Sequence, residues 1–154
     1  MEAGSISSDW QRGEKIMPEK LEILLLDDEP IVGKRLKPAL AKLGCEVEIF
    51  ENPGQALKRI GEKDFDIVVT DIRMDEIDGI QVLEEVLKRS SRTKVIMITG
   101  YAMMSVAREA MGKGAFDFIS KPFSPDDLRK VIVRAAESLG RSMDSEAAGL
   151  ASSE

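Results

Sequence analysis

Five residues with chemically active side chains stand at the ends of short apolar segments in this sequence. They are Asp27 and Asp28 after LEILLL, Asp71 after IVVT, Thr99 at the end of KVIMIT, and Lys121 after FDFIS. If the segments are parallel strands, their carboxyl ends share one edge of a sheet and the three carboxylates lie close enough to repel one another. A hard divalent cation relieves that repulsion, and oxygen ligands favour Mg²⁺, Mn²⁺ or Ca²⁺ over zinc. The spacing therefore predicts a cation site.

The chain contains no histidine, which narrows the chemistry of this site. Ser-His-Asp and Cys-His nucleophile systems and histidine-ligated zinc are excluded. A cation beside a lysine and a hydroxyl suits a phosphoryl group, whose three oxygens need neutralising during transfer. A protein carboxylate is then the nucleophile. Asp71 is the better candidate because it stands alone, whereas the adjacent pair Asp27 and Asp28 suits the metal.

The elements that position these residues are five apolar runs alternating with amphipathic segments. The predicted strands are residues 21–26, 46–50, 65–70, 94–99 and 116–120. Between them, apolar residues recur at helical spacing, and Asn52-Pro53 and Ser124-Pro125 are typical helix starts. Five such repeats in roughly 120 residues predict an α/β fold, with a doubly wound parallel sheet and helices on both faces.

Composition and charge limit the classes of partner and compartment. The chain has 154 residues, 43% of them hydrophobic, and a net charge of −6. An acidic chain has no general electrostatic attraction to nucleic acid or to an anionic membrane. Cys45 is the only cysteine, so no disulfide forms within the chain. Without a secretory signal or an 18-residue apolar stretch, the sequence predicts a cytoplasmic location.

Three regions are expected along the chain. Residues 1–19 and 140–154 are polar and lack periodicity, which predicts a flexible N-terminal extension and a flexible C-terminal tail. Residues 20–139 carry all five repeats and form the predicted folded domain. The residues after 140 have neither the length nor the basic charge of a DNA-binding domain, so this chain alone is not expected to bind DNA.

Four motifs resemble those of a known family when they are taken together in this order and spacing. They are LLLDDEP, VVTDIRMDEIDGIQVLEEV, VIMITGYA and GAFDFISKPFSPDDL. Over residues 20 to 139, the sequence resembles the receiver domain (CheY-like) of the response regulators in two-component signal transduction. The resemblance implies a flavodoxin-like (βα)5 fold with strand order 2-1-3-4-5, which is the order found in a chemotaxis regulator of this family.

The resemblance also implies a role for each residue of the site. Asp71 would accept a phosphoryl group from a partner's phosphohistidine and become an aspartyl phosphate. Asp28 and Asp71 would ligate Mg²⁺ directly, Asp27 largely through water, and Arg73 through its backbone carbonyl. Lys121 would pair with the phosphoryl oxygens. The implied partners are a sensor histidine kinase or a histidine phosphotransfer protein, together with a downstream effector; a membrane is not implied.

A second set of implied roles concerns switching. Thr99 would turn inward to hydrogen-bond a phosphoryl oxygen, and Phe118 would move inward with it as the aromatic switch residue. Arg73 and Tyr101 occupy variable positions beside the site, and their bulk predicts a comparatively long-lived aspartyl phosphate. The implied output surface is the face made by the fourth helix, the fifth strand and the fifth helix, with homodimerisation through it a further hypothesis.

Three departures and two alternatives accompany this interpretation. Asp75 follows Met74 where the family usually has proline, Phe118 lacks the hydroxyl of the commoner tyrosine, and Pro38 lies inside the first predicted helix. The chain is interpreted either as a single-domain regulator or as the receiver part of a longer transcriptional regulator of the nitrogen-regulatory activator class. A phosphatase with an aspartyl nucleophile after the first strand is a remote alternative, because that class needs an Asp-x-Asp spacing. Otherwise the chain is expected to be a phosphoacceptor switch and not an enzyme.

Overall fold

A computed structural model describes residues 20–72, 78–100 and 103–140. The described strands are β1 (Leu21–Leu26), β2 (Cys45–Phe50), β3 (Ile67–Asp71), β4 (Lys94–Thr99) and β5 (Asp117–Ser120). The described helices are α1 (Pro30–Lys42), α2 (Pro53–Glu62), α3 (Gly79–Arg89), α4 (Met104–Gly112) and α5 (Pro125–Ser138). The predicted tails 1–19 and 141–154 lie outside the described residues, and their flexibility stays a prediction.

The sheet confirms the predicted fold class. All five strands are parallel and lie in the order β2-β1-β3-β4-β5. Because the chain order reverses between β1 and β3, the carboxyl ends of these two central strands flank the crevice where ligands of such sheets bind. The bounds of β1 and β4 match the prediction. In contrast, β3 begins at Ile67, two residues later than predicted, and it ends at Asp71, one residue later than predicted.

Asp66, one residue after the predicted start, forms a bend just ahead of β3. Its carboxylate accepts the backbone N–H of Glu22 at 2.8 Å, and its own backbone N–H donates to the Glu22 carbonyl at 2.9 Å. Phe65 is buried, but it packs beneath the helices as part of the core ahead of the strand. The apolar side chain of Phe65 therefore indicates burial in the core, and it does not mark the start of the strand.

Two apolar layers hold the sheet between the helices. One face packs against α2, α3 and α4, through residues such as Ile60, Leu83 and Ala107. The other packs against α1 and α5, through residues such as Leu40 and Ile132. Burying one such leucine or isoleucine contributes roughly 1.5–3 kcal/mol. The central strands therefore hold their carboxyl ends in fixed positions.

Helix ends follow the predicted chemistry. The Asn52 side chain accepts the N–H of Gln55, and Ser124 forms a reciprocal capping box with Asp127. Pro38 is exposed within α1, so the helical hydrogen bond that it omits lies on the solvent-facing side. None of the described helices is long and apolar enough to cross a membrane.

Candidate functional site

Three carboxylates meet at the carboxyl edge of the sheet, as the sequence predicts. Asp27 and Asp71 are buried and Asp28 is exposed, and one oxygen from each lies within 4.8 Å of the others. The backbone N–H of Asp27 donates to the carbonyl of Phe50, which extends the pairing of β1 with β2. Beyond Asp71, the N–H of Ile72 donates to the carbonyl of Ile98. Backbone pairing thus fixes both buried aspartates on neighbouring strands.

The electrostatic cost of this arrangement falls on Asp27. Burial raises the pKa of the Asp27 carboxyl from 3.8 to about 6; the nearby charge of Asp71 adds to the rise, while the N–H of Glu29 and the ammonium of Lys121 oppose it. One oxygen, Oδ1, accepts the Glu29 N–H at 2.9 Å. The other, Oδ2, is buried and accepts no hydrogen bond of normal geometry among the described residues, although Lys121 Nζ lies 3.2 Å away.

Lys121 supplies the positive charge of the site. Its Nζ lies 2.8 Å from Glu29 Oε1, 3.2 Å from Asp27 Oδ2 and 3.3 Å from Asp71 Oδ2. Burial alone lowers the pKa of the Lys121 ammonium, but the hydrogen bond with Glu29 and the charges of Asp27 and Asp71 outweigh it and raise the pKa above its usual value. The residue is therefore a permanent cation, and its backbone N–H is anchored on the Thr99 carbonyl at 2.8 Å. The Lys121–Pro122 peptide bond is cis.

The three carboxylates fit an oxygen-liganded divalent cation. Oxygens bound to Mg²⁺ at about 2.1 Å lie up to about 4.2 Å apart, and those bound to Ca²⁺ lie somewhat farther apart. The 4.8 Å limit on the cluster is close to both values. Asp27 Oδ2 is a buried oxygen that pairs with Lys121 but accepts no hydrogen bond of normal geometry among the described residues, and Asp28 adds a carboxylate open to solvent. With neither imidazole nor thiolate in the cluster, these donors favour a hard cation.

Thr99 is the last residue of β4, and Phe118 lies within β5. Thr99 is fully buried, and its hydroxyl donates to the carbonyl of Gly100 at 3.0 Å. Phe118 is half-buried and packs against the core on the side of α2, α3 and α4. Both residues therefore occupy the predicted positions, while the inward movement implied for them stays a prediction.

Some predicted site residues lie outside the described part of the chain. They are Arg73, which was expected to offer a backbone carbonyl and to tune phosphoryl lifetime, and Tyr101, which was expected to tune it too. Met74 and Asp75, where the sequence departs from the family pattern, also lie outside. The lifetime prediction therefore stays a prediction.

The predicted output face contains fewer free side chains than the sequence suggests. Met103 packs against the core, which favours a packing role for this methionine. Lys113 pairs with Glu84 of α3 at 3.3 Å. Arg129 and Lys130 both pair with Asp126, one turn earlier in α5. A partner at this face would meet charges that already have intramolecular partners.

Two further residues matter to the site. Glu29 is the closest partner of Lys121, although 92 residues separate them. Gly79 donates its N–H to the Ile72 carbonyl at 2.8 Å, and an added Cβ would lie 2.6 Å from the carbonyl oxygen of Asp71. The same Cβ would lie 2.8 Å from the Cα of Ile72. Because both of these neighbouring atoms belong to the backbone, only glycine fits there. Glu29 is also the N-cap of α1, a position where glutamate is a poor choice.

Comparison with known proteins identifies the family. A family model described as the response regulator receiver domain matches residues 23–133. The chain belongs to this family. Receiver domains bind Mg²⁺ through acidic residues, and Asp27, Asp28 and Asp71 form such a cluster here. Members of the family interact with histidine kinases and effectors and are generally not enzymes.

Individual relatives agree with this assignment. The chain is 41% identical over 115 residues to the regulatory protein AtoC of Escherichia coli, covering 75% of this chain and 25% of AtoC. It is 38% identical over 120 residues to a putative NtrX-like response regulator of Rickettsia typhi, covering 77% and 25%. A receiver domain from Clostridium thermocellum superposes with a TM-score of 0.74 at 30% identity, covering 78% of this chain and 97% of that domain. The chain thus spans about a quarter of the length of its curated relatives.

Proposed function

We propose that this receiver domain accepts a phosphoryl group on Asp71 from a phosphohistidine, in a reaction that requires Mg²⁺. The observation that carries the proposal is the position of Asp71. Its buried carboxylate ends the central strand β3, shares a cation-sized cluster with Asp27 and Asp28, and lies 3.3 Å from the ammonium of Lys121. A carboxylate between two sources of positive charge is suited to attack a phosphorus atom.

The proposed transfer is a displacement at the phosphorus atom. An Asp71 oxygen forms a bond to phosphorus, the bond from phosphorus to the donor nitrogen breaks, and the imidazole leaves with that electron pair. Bound Mg²⁺ would neutralise phosphoryl oxygens and would be held by Asp28 and Asp71, with Asp27 acting largely through water. Lys121 neutralises a further phosphoryl oxygen. The Asp71 carboxylate attacks through an oxygen lone pair, so the step includes no proton transfer to a general base.

The switch follows from the new charge on Asp71. A phosphoryl group adds roughly −2 charge units and three strong acceptor oxygens. The Thr99 hydroxyl, which now donates to the Gly100 carbonyl, gains a better acceptor and turns toward it. Phe118 then moves into the space that Thr99 vacates and alters the face made by α4, β5 and α5. If this face forms a homodimer, the mass of the protein in solution rises upon phosphorylation.

A groove beside the site, lined by apolar side chains together with Glu29, Arg35 and Lys121, suits the protein that donates the phosphoryl group. The groove has a volume of about 400 Å³, and Ile31 on its rim is 61% exposed. A phosphohistidine can reach Asp71 only if its own protein covers this edge of the sheet. The groove residues that would contact that donor are Ile31, Val32, Lys121, Pro122 and Phe123.

The relation of this chain to longer regulators is a second proposal. AtoC and the NtrX-like protein are each about four times the length matched here. This observation favours a receiver that controls an output domain of the nitrogen-regulatory activator class. A reading frame that continues past Glu154 into such a domain would support it. The cytoplasmic location stays a prediction.

The test of the main proposal is phosphorylation by a small donor. The wild-type chain and Asp71→Asn are incubated with acetyl phosphate and Mg²⁺, and intact mass is measured. We expect a gain of roughly 80 Da, one phosphoryl group, on the wild type alone. The same gain on both proteins, or on neither, would refute Asp71 as the acceptor.

A further inference from the structure

The ammonium of Lys121 is shared unevenly among three carboxylates. Its shortest contact, at 2.8 Å, is with Glu29, while Asp27 and Asp71 lie at 3.2 and 3.3 Å. An ammonium has three N–H donors, and here three carboxylates surround it. On phosphorylation of Asp71, the N–H of Lys121 that faces its carboxylate can pass to a phosphoryl oxygen. The phosphoryl group gains a second N–H from Lys121 only if the contact with Asp27 or with Glu29 weakens.

Helix α1 does not explain why residue 29 is a glutamate. Glu29 is the N-cap of α1, yet its side chain makes no capping hydrogen bond. Serine, threonine, aspartate and asparagine are the residues that cap well. Pro30 provides the first helical residue, and the Glu29 carbonyl accepts the N–H of Val32 at 3.0 Å. The helix thus uses the backbone of Glu29 and leaves its carboxylate to Lys121.

The Glu29 carboxylate extends from a fixed base. Its own backbone N–H donates to Asp27 Oδ1 at 2.9 Å, so backbone contacts hold the residue on both sides. Its side chain is 59% exposed, compared with 1% for Asp27 and 10% for Asp71. Of the three partners, Glu29 is the one that water can solvate when Lys121 leaves. Its contact is therefore the one that breaks most easily.

We propose that Glu29 is a positioning residue that competes with the phosphoryl group for Lys121, an inference that rests on the proposed phosphorylation of Asp71. In the resting state, Glu29 draws the ammonium toward solvent. On phosphorylation, Lys121 exchanges Glu29 for a phosphoryl oxygen. Because that exchange costs the Lys121–Glu29 contact, Glu29 makes the phosphorylated state less stable than it would otherwise be.

Two substitutions separate this contact from simple charge. Glu29→Asp keeps the negative charge but is one methylene shorter, so the 2.8 Å contact lengthens past hydrogen-bond distance. Glu29→Gln removes the charge. Glu51→Gln is the matched control. Glu51 is an exposed carboxylate just after β2, at the same edge of the sheet. In the described ranges the ion pairs of Lys121 are with Asp27, Glu29 and Asp71, and Glu51 is not among them.

The probe is beryllofluoride with Mg²⁺, an analogue of the phosphoryl group, with its affinity for each protein measured by titration calorimetry. We expect both Glu29 variants to bind it about two- to fivefold more tightly than the wild type, the range expected for a partly exposed ion pair. Glu51→Gln is expected to bind as the wild type does. Thermal melting of each variant, matched to the wild type, shows that the fold is retained.

Other outcomes would overturn the inference. Tighter binding by Glu29→Gln and Glu51→Gln but not by Glu29→Asp would assign the effect to general charge. Unchanged or weaker binding by both Glu29 variants would mean that Glu29 does not compete for Lys121. Failure of the wild type to bind beryllofluoride, or to be phosphorylated, would instead refute the proposed function, so the two failures are distinguishable.

Discussion

The Nζ atom of Lys121 lies 3.3 Å from Oδ2 of Asp71, although 50 residues separate the two in sequence. The register of the sheet brings them together: Asp71 is paired with Ile98 of β4, and Thr99 is paired with Ser120 of β5. Both side chains therefore extend from the same edge. A nucleophile and its permanent cation are positioned by strand pairing before any ligand arrives, so the site is largely preorganised.

Asp27→Asn should stabilise the fold in the absence of Mg²⁺. The pKa of Asp27 is raised from 3.8 to about 6, so the ionised form is less stable in the folded chain than in the unfolded chain. At neutral pH the neutral amide removes a penalty of up to about 3 kcal/mol. Urea unfolding with a chelator at pH 7.5 measures the change. Asp64→Asn at an exposed surface ion pair is the control, with an expected effect within about 1 kcal/mol.

The same pKa predicts how stability depends on pH. Because the folded-state pKa lies above 3.8, the folded chain binds a proton more tightly than the unfolded chain does between pH 3.8 and about 6. The contribution of Asp27 is thus most favourable below this window and is lost as pH rises through it. In urea unfolding curves measured at a series of pH values, Asp27→Asn should lack this pH-dependent part of the free energy of unfolding. An identical pH dependence in the variant would contradict the prediction.

Affinity for Mg²⁺ should fall when Asp27 takes up its proton. Above about pH 7 the carboxylate is ionised, and the dissociation constant should be nearly independent of this group. Below pH about 6, one proton competes with the cation, and the dissociation constant should rise toward tenfold per pH unit, roughly the limit for a single proton. Titration calorimetry with Mg²⁺ alone from pH 5 to 8 measures this. A flat profile would mean that Asp27 takes no part in the cation site.

The convergence of the site was predictable because parallel strands place their carboxyl ends at one edge. Asp27, Asp71 and Lys121 each follow or end an apolar run, and that pattern alone placed them together. The Glu29–Lys121 pair was not predictable, because any exposed carboxylate near that edge could have filled the role. Which one does so depends on the backbone contacts at the start of α1.

Strand starts were less predictable than strand ends. An apolar run marks burial, and burial continues beyond the hydrogen-bonded ladder when a residue such as Phe65 packs beneath helices. Similarly, the capping box between Asp78 and Gln81 fixes where α3 begins, and its two reciprocal hydrogen bonds of 3.0 Å show only in three dimensions. Side-chain contacts with the backbone set these boundaries.

Gly79→Ala should destabilise the protein more than any ordinary helix substitution. The added methyl group would lie 2.6 Å from the Asp71 carbonyl oxygen and 2.8 Å from the Ile72 Cα, and neither backbone atom can move without shifting the end of β3. Overpacking of this kind costs about 1–3 kcal/mol or more. Gly61→Ala in α2 is the matched control, since nothing lies within 4 Å of its added Cβ, and it should stabilise by roughly 0.5–1 kcal/mol. Equal melting temperatures for the two variants would contradict this.

Ile31→Asp should slow phosphotransfer from a histidine kinase while leaving phosphorylation by acetyl phosphate unchanged. Ile31 is 61% exposed at the rim of the groove beside Lys121, and a charge there opposes burial against a protein donor but not the entry of a small one. Loss of one apolar contact at an interface costs about 1 kcal/mol or more, a reduction of about fivefold. Rates are compared using a kinase that phosphorylates the wild type.

Met111→Asp is the control for that substitution. Met111 is also a large exposed apolar residue, 39% exposed, but it lies on α4 away from the groove. Its substitution should leave both rates unchanged. If Ile31→Asp slows both donors equally, the residue acts on the site itself; if it slows neither, the donor protein docks elsewhere. The donor protein is placed on the groove only if Ile31→Asp lowers the rate with the kinase and leaves the rate with acetyl phosphate unchanged. Acetyl phosphate is small enough to reach Asp71 without covering the groove.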